Sequence, residues 1–141
     1  MNMKRCDFFK PDVRVFRVGD YVFFDKVFKV VGFKGEYLQL NDGFSEFGVH
    51  VSEVQGISLS SAFLQAQGFE CVEVGDNGPA TPKSNINRYE KWCCQTEWVT
   101  LDVFFDRITN RFSMDGVVMP SVHDFQHVLW DKHKMEVESY D

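Results

Sequence analysis

Short β-branched and aromatic runs broken by Gly, Asp and Asn fill the first third of the chain: VRVFRVGDYVFF, KVFKVVGF, EYLQL and FGVHV. Runs of that length between turn residues are the pattern of a small antiparallel barrel or meander. Val13, Val15 and Val18 alternate only imperfectly with Arg14 and Arg17, and the alternation breaks at the Gly19-Asp20 pair. Gly32, Gly35 and Gly43 mark the turns. The period then changes. Leu59, Ala62, Phe63 and Ala66 recur at i, i+3, i+4 and i+7, which predicts a helix over 58–68. Ser58 is the expected N-cap, Gly68 the left-handed residue past the end, and Phe69 the apolar residue that folds back over the last turn.

Strand patterning returns in ECVEV, and the Gly, Pro and Asn content of GDNGPATPKSNIN, residues 75–87, predicts a mobile loop. RYEKWCC, EWVTLDVFFD and RFSM read as strands, with ITN as a tight hairpin turn between the last two and GVVMP leading into a final helix. That helix, SVHDFQHVLW, opens with Ser121 and Asp124 at capping-box spacing behind Pro120. At about 100° per residue Val122, Phe125, Val128 and Leu129 gather on one side, and His123, Gln126, His127 and Trp130 on the other. The expected architecture is α+β: an arm over 1–12, a small Src-homology-3-like β-barrel over 13–57, a bridging helix over 58–68, and an antiparallel sheet over 69–141 closed by the C-terminal helix.

Composition supports a folded chain. With 141 residues, 44% of them hydrophobic, and fifteen Phe, there is ample apolar area for one domain or two small lobes, and global disorder is excluded. No apolar run approaches the roughly 18 residues of a membrane span, so no membrane association is expected. Cys6, Cys71, Cys93 and Cys94 contain no C-x-x-C, and no signal-like segment opens the chain, so a reduced, cytoplasmic protein is expected. Cys93 and Cys94 are adjacent; in a strand they point to opposite faces, which favours buried thiols over a shared ion.

Net charge is −6, unevenly distributed: residues 1–34 hold eight Lys and Arg against four acids, and the remainder is strongly acidic. Arg14, Arg17, Lys26, Lys29 and Lys34 are therefore candidates for contacting nucleic-acid phosphates. Asp12, Asp20 and Asp25 are interleaved with them, which argues for an ordinary solvated surface and against a continuous basic stripe.

His123 and His127 stand four apart, the spacing of two zinc ligands on one helix face. A site needs a third or fourth ligand, and the position beside the first histidine holds Asp124, which the cap also claims. Nothing in the spacing selects His50, Asp131 or His133 to complete a set, so no metal and no cofactor is expected. No G-x-S-x-G, G-x-x-x-x-G-K-[ST] or G-x-G-x-x-G occurs, which removes nucleophile-elbow, P-loop and dinucleotide-fold readings. Trp92, Trp98 and Trp130 are available for stacking but suit a core or an interface as well.

Taken in order, VGDYVFFDKVFKVVGF, ISLSSAFLQAQGF and SVHDFQHVLW resemble the successive blocks of a family of small uncharacterised proteins of prophages and mobile elements in Bacteroidetes. The resemblance spans most of residues 13–130. It implies a barrel-opening strand, a helix block on Leu59, Ser60, Phe63 or Leu64, Gly68 and Phe69, and a closing block on Val122, His123, Phe125 and Gln126; His127 lies outside the recurring motif. It implies no activity. The expectation is a non-catalytic accessory or protein-interaction module with a protein partner, for which His123, Gln126 and Trp130 are candidate binding residues. The alternatives are a nucleic-acid-binding accessory protein and a small metal-dependent hydrolase.

Overall fold

The computed structural model describes residues 15–75, 87–137, 139 and 140. The arm over 1–12, Arg14 and nearly all of the 75–87 loop lie outside the described residues. The chain divides into two compact units, Met1–Ile57 and Ser58–Asp141. It is an α+β protein with two antiparallel sheets.

The first unit is an antiparallel sheet of β1 (Tyr21–Phe24), β2 (Lys26–Lys34), β3 (Tyr37–Asn41) and β4 (Glu46–His50), in that spatial order. Strand parity explains its core. Val22 faces Phe28, Val30 faces Leu40, and Leu38 faces Val49, so the apolar residues of four strands share one side and are buried. A bulge between Val30 and Gly32 leaves Val31 unpaired. A Cβ at Gly48 would meet the end of the Gln39 side chain, its Nε2 at 3.0 Å, which would have to swing aside. After β4 a 3-10 turn, Val51–Glu53, brings Gln55 back to exchange two backbone hydrogen bonds with Phe23 at 2.8 and 2.9 Å. Among the described residues the sheet is not a closed barrel: the return to β1 is this one bridge, since the 3-10 turn uses the residues that a fifth strand would need.

The second unit opens with α1 (Ser61–Ala66), shorter than the predicted 58–68. Its N-cap is Ser60, whose hydroxyl accepts the Phe63 N–H at 3.2 Å; Ser58 is diverted into a bridge with Ser121. Its C-terminus behaves as read from sequence: Gly68 takes φ +94°, its N–H reaches Gln65 O, and the Phe69 N–H reaches Leu64 O, the paired bonds of a Schellman end. A five-stranded sheet follows in sequential order: β5 (Glu70–Gly75), β6 (Tyr89–Gln95), β7 (Thr100–Asp106), β8 (Arg111–Met114) and β9 (Val117–Val118). The two-residue β9 was not expected; it arises because Asp115 and Gly116 both adopt positive φ and turn the chain back on itself. The last helix is α2 (Val122–His133).

The β7–β8 turn occupies Arg107–Asn110 rather than three residues, and Asp106 organises it. Its Oδ1 accepts the N–H groups of Ile108 and Thr109 at 3.0 and 3.4 Å, while Arg88 grips the carboxylate with two bonds at 3.0 and 2.8 Å. That arginine, with the turn amides, holds the Asp106 carboxyl at about 2, against 3.8 for a free side chain. A depressed carboxylate stabilises the fold above the unfolded-state value, and the contribution is lost as pH falls through the folded one. Asp106→Asn is therefore expected to cost about 1–2 kcal/mol at pH 7, after discounting for partial exposure, and to cost progressively less between pH 4 and pH 2. Urea midpoints across that range check it, with a pH-independent deficit as the contrary result.

Candidate functional site

The closing helix carries the residues to which the sequence assigns chemistry. Its first turn is a complete capping box: the Ser121 N–H donates to Asp124 Oδ2 at 3.1 Å, and the Asp124 N–H donates to Ser121 Oγ at 3.3 Å. Ser121 Oγ also donates its own proton to Asp124 Oδ2 at 2.6 Å. His123 joins this cluster with Nδ1 at 2.9 Å and Nε2 at 3.3 Å from the same hydroxyl.

A serine hydroxyl 2.9 Å from a histidine ring and 2.6 Å from a carboxylate invites comparison with a hydrolytic triad, but the order is wrong. In a triad the imidazole stands between hydroxyl and carboxylate and takes the hydroxyl proton. Here the hydroxyl stands in the middle and gives its proton straight to the carboxylate, so the ring side of its contact with His123 is a donor. An oxygen that near to both ring nitrogens lies off the Cε1 edge, in line with neither. The cluster is a helix cap.

His123 is 6% exposed, which corrects its placement on the solvent side of the helix with His127 and Trp130. The wheel weighs only apolar residues, and this ring lies against the buried Ser121 hydroxyl. Val122, Phe125, Val128 and Leu129 are buried as the pattern requires. Gln126 and His127 are partly buried, and Trp130 is exposed with the Lys134 ammonium 5.4 Å from its ring centre.

His123 and His127 do come together, with ring centres 5.6 Å apart and planes at 66°. Among the described residues, no group of three or more His, Cys, Asp or Glu side chains is placed to hold a metal ion. His133 is committed elsewhere, its Nε2 2.7 Å from Asp115 Oδ2 in the β8–β9 turn. His50 is committed too: its Nδ1 accepts the Ser52 N–H at 3.1 Å, so Nε2 donates to Glu36 Oε1 at 3.1 Å. A chelator is accordingly expected to leave the melting temperature unchanged. A drop that vanishes in the His123→Ala/His127→Ala double variant would make the pair metal ligands.

The candidate phosphate contacts among the described residues do not all share one face. Lys26 and Lys29 lie an odd number of residues apart on β2, before the bulge, and so point to opposite faces. Lys26 is paired with Asp42 at 2.8 Å, and this bond, with the Ser45 and Phe44 amides, holds the Asp42 carboxyl well below the usual carboxylate range. Lys29 lies 5.9 Å from the Tyr21 ring centre. Lys34 ends β2, and Arg17 precedes β1 with its N–H on Asp20 at 2.8 Å.

Cys93 and Cys94 alternate across β6, facing Asp102 and Leu101 of β7. Burial pushes both thiols up, and for Cys93 the neighbouring Asp102 adds to it, which favours the protonated thiol over the thiolate. Asp102 Oδ1 is itself buried without a hydrogen-bond partner, and the residue lines a cavity of about 230 Å³ with Ser113, Asp115 and His133. No helix among the described residues is long and apolar enough to cross a membrane.

Sequence reasoning named Trp98 as available for stacking but passed over the exposed phenylalanines and Tyr37. Phe44 is 96% exposed at the tip of the β3–β4 turn, and Trp98 is 85% exposed in the β6–β7 turn, where Thr96 Oγ1 accepts its N–H. Phe23, Phe33 and Tyr37 are also exposed on the first unit. The available signal was position: an aromatic inside a turn cluster has no strand face to bury it. Comparison of the chain with protein-family models, with curated proteins and with solved structures finds no match.

Proposed function

We infer that the protein is a non-catalytic, protein-binding accessory module of a phage or mobile element. The observation that carries the binding half of this reading is Phe44, which is 96% exposed at the tip of the β3–β4 turn. Aromatic residues are enriched in the contact patches of protein interfaces. The phage or mobile-element half rests on the resemblance of the three sequence blocks. Four antiparallel strands, a 3-10 turn and a residue that pairs back onto β1 support reading this unit as a Src-homology-3-like barrel.

A photo-crosslinking residue at position 44, in cells that carry the element, tests the reading. A protein adduct is the expected result, and no adduct is the contrary one. Nucleic-acid binding is the second reading, favoured only by the basic residues of the first unit. Because Lys26 and Lys29 face opposite sides, DNA affinity at physiological salt is expected to be weak. Submicromolar binding lost on charge reversal of Arg17 and Lys29 would replace the first reading by the second.

A further inference from the structure

One concave surface of the first unit combines apolar and charged groups. A groove of about 500 Å³ is lined by Phe23, Phe24, Asp25, Glu53 and Gln55. The end of β1 supplies the two rings, and the 3-10 turn with the residue that bridges back supplies the opposite wall. That wall is fixed, because Phe23 and Gln55 exchange two backbone hydrogen bonds. Phe24 is also fixed, its ring 6.4 Å from Phe28 and 6.2 Å from Phe47. Phe23 leaves 40% of its surface open.

The charges of the groove are of one sign. Asp25 and Glu53 are exposed, and among the described residues their carboxylates make no hydrogen bond or ion pair, unlike those of Asp42, Asp106 and Asp124 at other turns. Lys26, next to Asp25 in the chain, is already held by Asp42, and Lys29 lies over Tyr21. Asp25 is the one-residue link between Phe24 and Lys26 and takes φ +69°, a turn conformation that Asp adopts readily.

Two unneutralised carboxylates beside an open phenyl ring are complementary to a planar cation with an apolar neighbour. Guanidinium meets that description better than ammonium, since it pairs with carboxylates in a fork and stacks on rings. We propose that this groove binds an extended peptide segment of a partner protein that carries an arginine next to an apolar residue. The arginine lies between Asp25 and Glu53, and its neighbour packs on Phe23. This rests on the protein-binding reading and assigns it a site and a ligand chemistry.

Panning a library of random seven-residue peptides displayed on a carrier against the intact chain tests it. The Asp25→Asn/Glu53→Gln double variant serves as counter-target, and both substitutions are isosteric at exposed positions, with a melting curve to confirm the fold. Enrichment of arginine beside Leu, Ile, Val or Phe is expected, with binding of the enriched peptides at least tenfold weaker to the double variant. Their amide shifts should map to residues 23–25 and 53–55. Enriched peptides without arginine, or peptides held equally by the double variant, overturn the groove while leaving a protein-binding surface elsewhere. No enrichment at all overturns the groove as well. The position-44 crosslink then decides separately whether the broader reading survives.

Discussion

Phe125→Ala is expected to destabilise the protein by about 3–5 kcal/mol, the cost of truncating a buried aromatic to a methyl group. Phe125 is 1% exposed at the centre of the apolar stripe of α2. Its ring meets Phe63 of α1 edge-on at 5.8 Å and Phe69, the residue that closes the Schellman end of α1, at 5.9 Å. One ring thus ties two helices and the start of β5 together, and alanine leaves a void bordered by residues fixed by their own backbone bonds. Phe125→Leu keeps most of the volume and is expected to cost less than half as much. His127→Ala, on the partly solvated side of the same helix, is expected to change stability by no more than about 0.5 kcal/mol. Urea unfolding of the three variants checks the ranking. Equal losses for Phe125→Ala and His127→Ala would mean that the histidine does structural work beyond its observed burial.

Leu38→Ala should be the corresponding lesion in the first unit, at about 2–5 kcal/mol. Leu38 is fully buried in β3, opposite Phe33 of β2 and Val49 of β4, and belongs to the cluster with Val22, Val30 and Leu40. The next residue back, Tyr37, faces the other way with its ring edge-on to His50 at 5.2 Å. Tyr37→Ala is expected to cost under about 1 kcal/mol, so two adjacent residues should differ severalfold. Hydrogen exchange gives the local readout: amides of β2, β3 and β4 should lose protection in Leu38→Ala and retain it in Tyr37→Ala. A uniform response to both changes would contradict the strand parity.

Much of the secondary structure was legible because its causes are local. The capping box at Ser121 and Asp124, the Schellman end at Gly68 and Phe69, and the buried faces of β3 and α2 each follow from spacing along a few residues. The short β9 escaped notice because Val117 and Val118 are both exposed and offer no alternation to read. Ser58 was mistaken for the N-cap because its real partner, Ser121, is sixty-three residues away.

The candidate site divides along the same line. Sequence alone determined that His123 and His127 are neighbours, since helical periodicity brings i and i+4 side by side. It argued equally against a continuous basic stripe, because Asp12, Asp20 and Asp25 are interleaved with the bases. Only the tertiary structure decided what those groups do. It buried His123 on the Ser121 hydroxyl, committed His133 to Asp115, and paired Lys26 with Asp42. It also joined Phe23 to Gln55 across thirty-one intervening residues, and with that bridge made a groove with Asp25 and Glu53 on its rim. The physical reason is range. Capping, periodicity and turn conformation are fixed by bonds between residues a few positions apart, whereas a side chain's burial, its partner and the charge left unneutralised depend on segments that meet only after the sheet has formed.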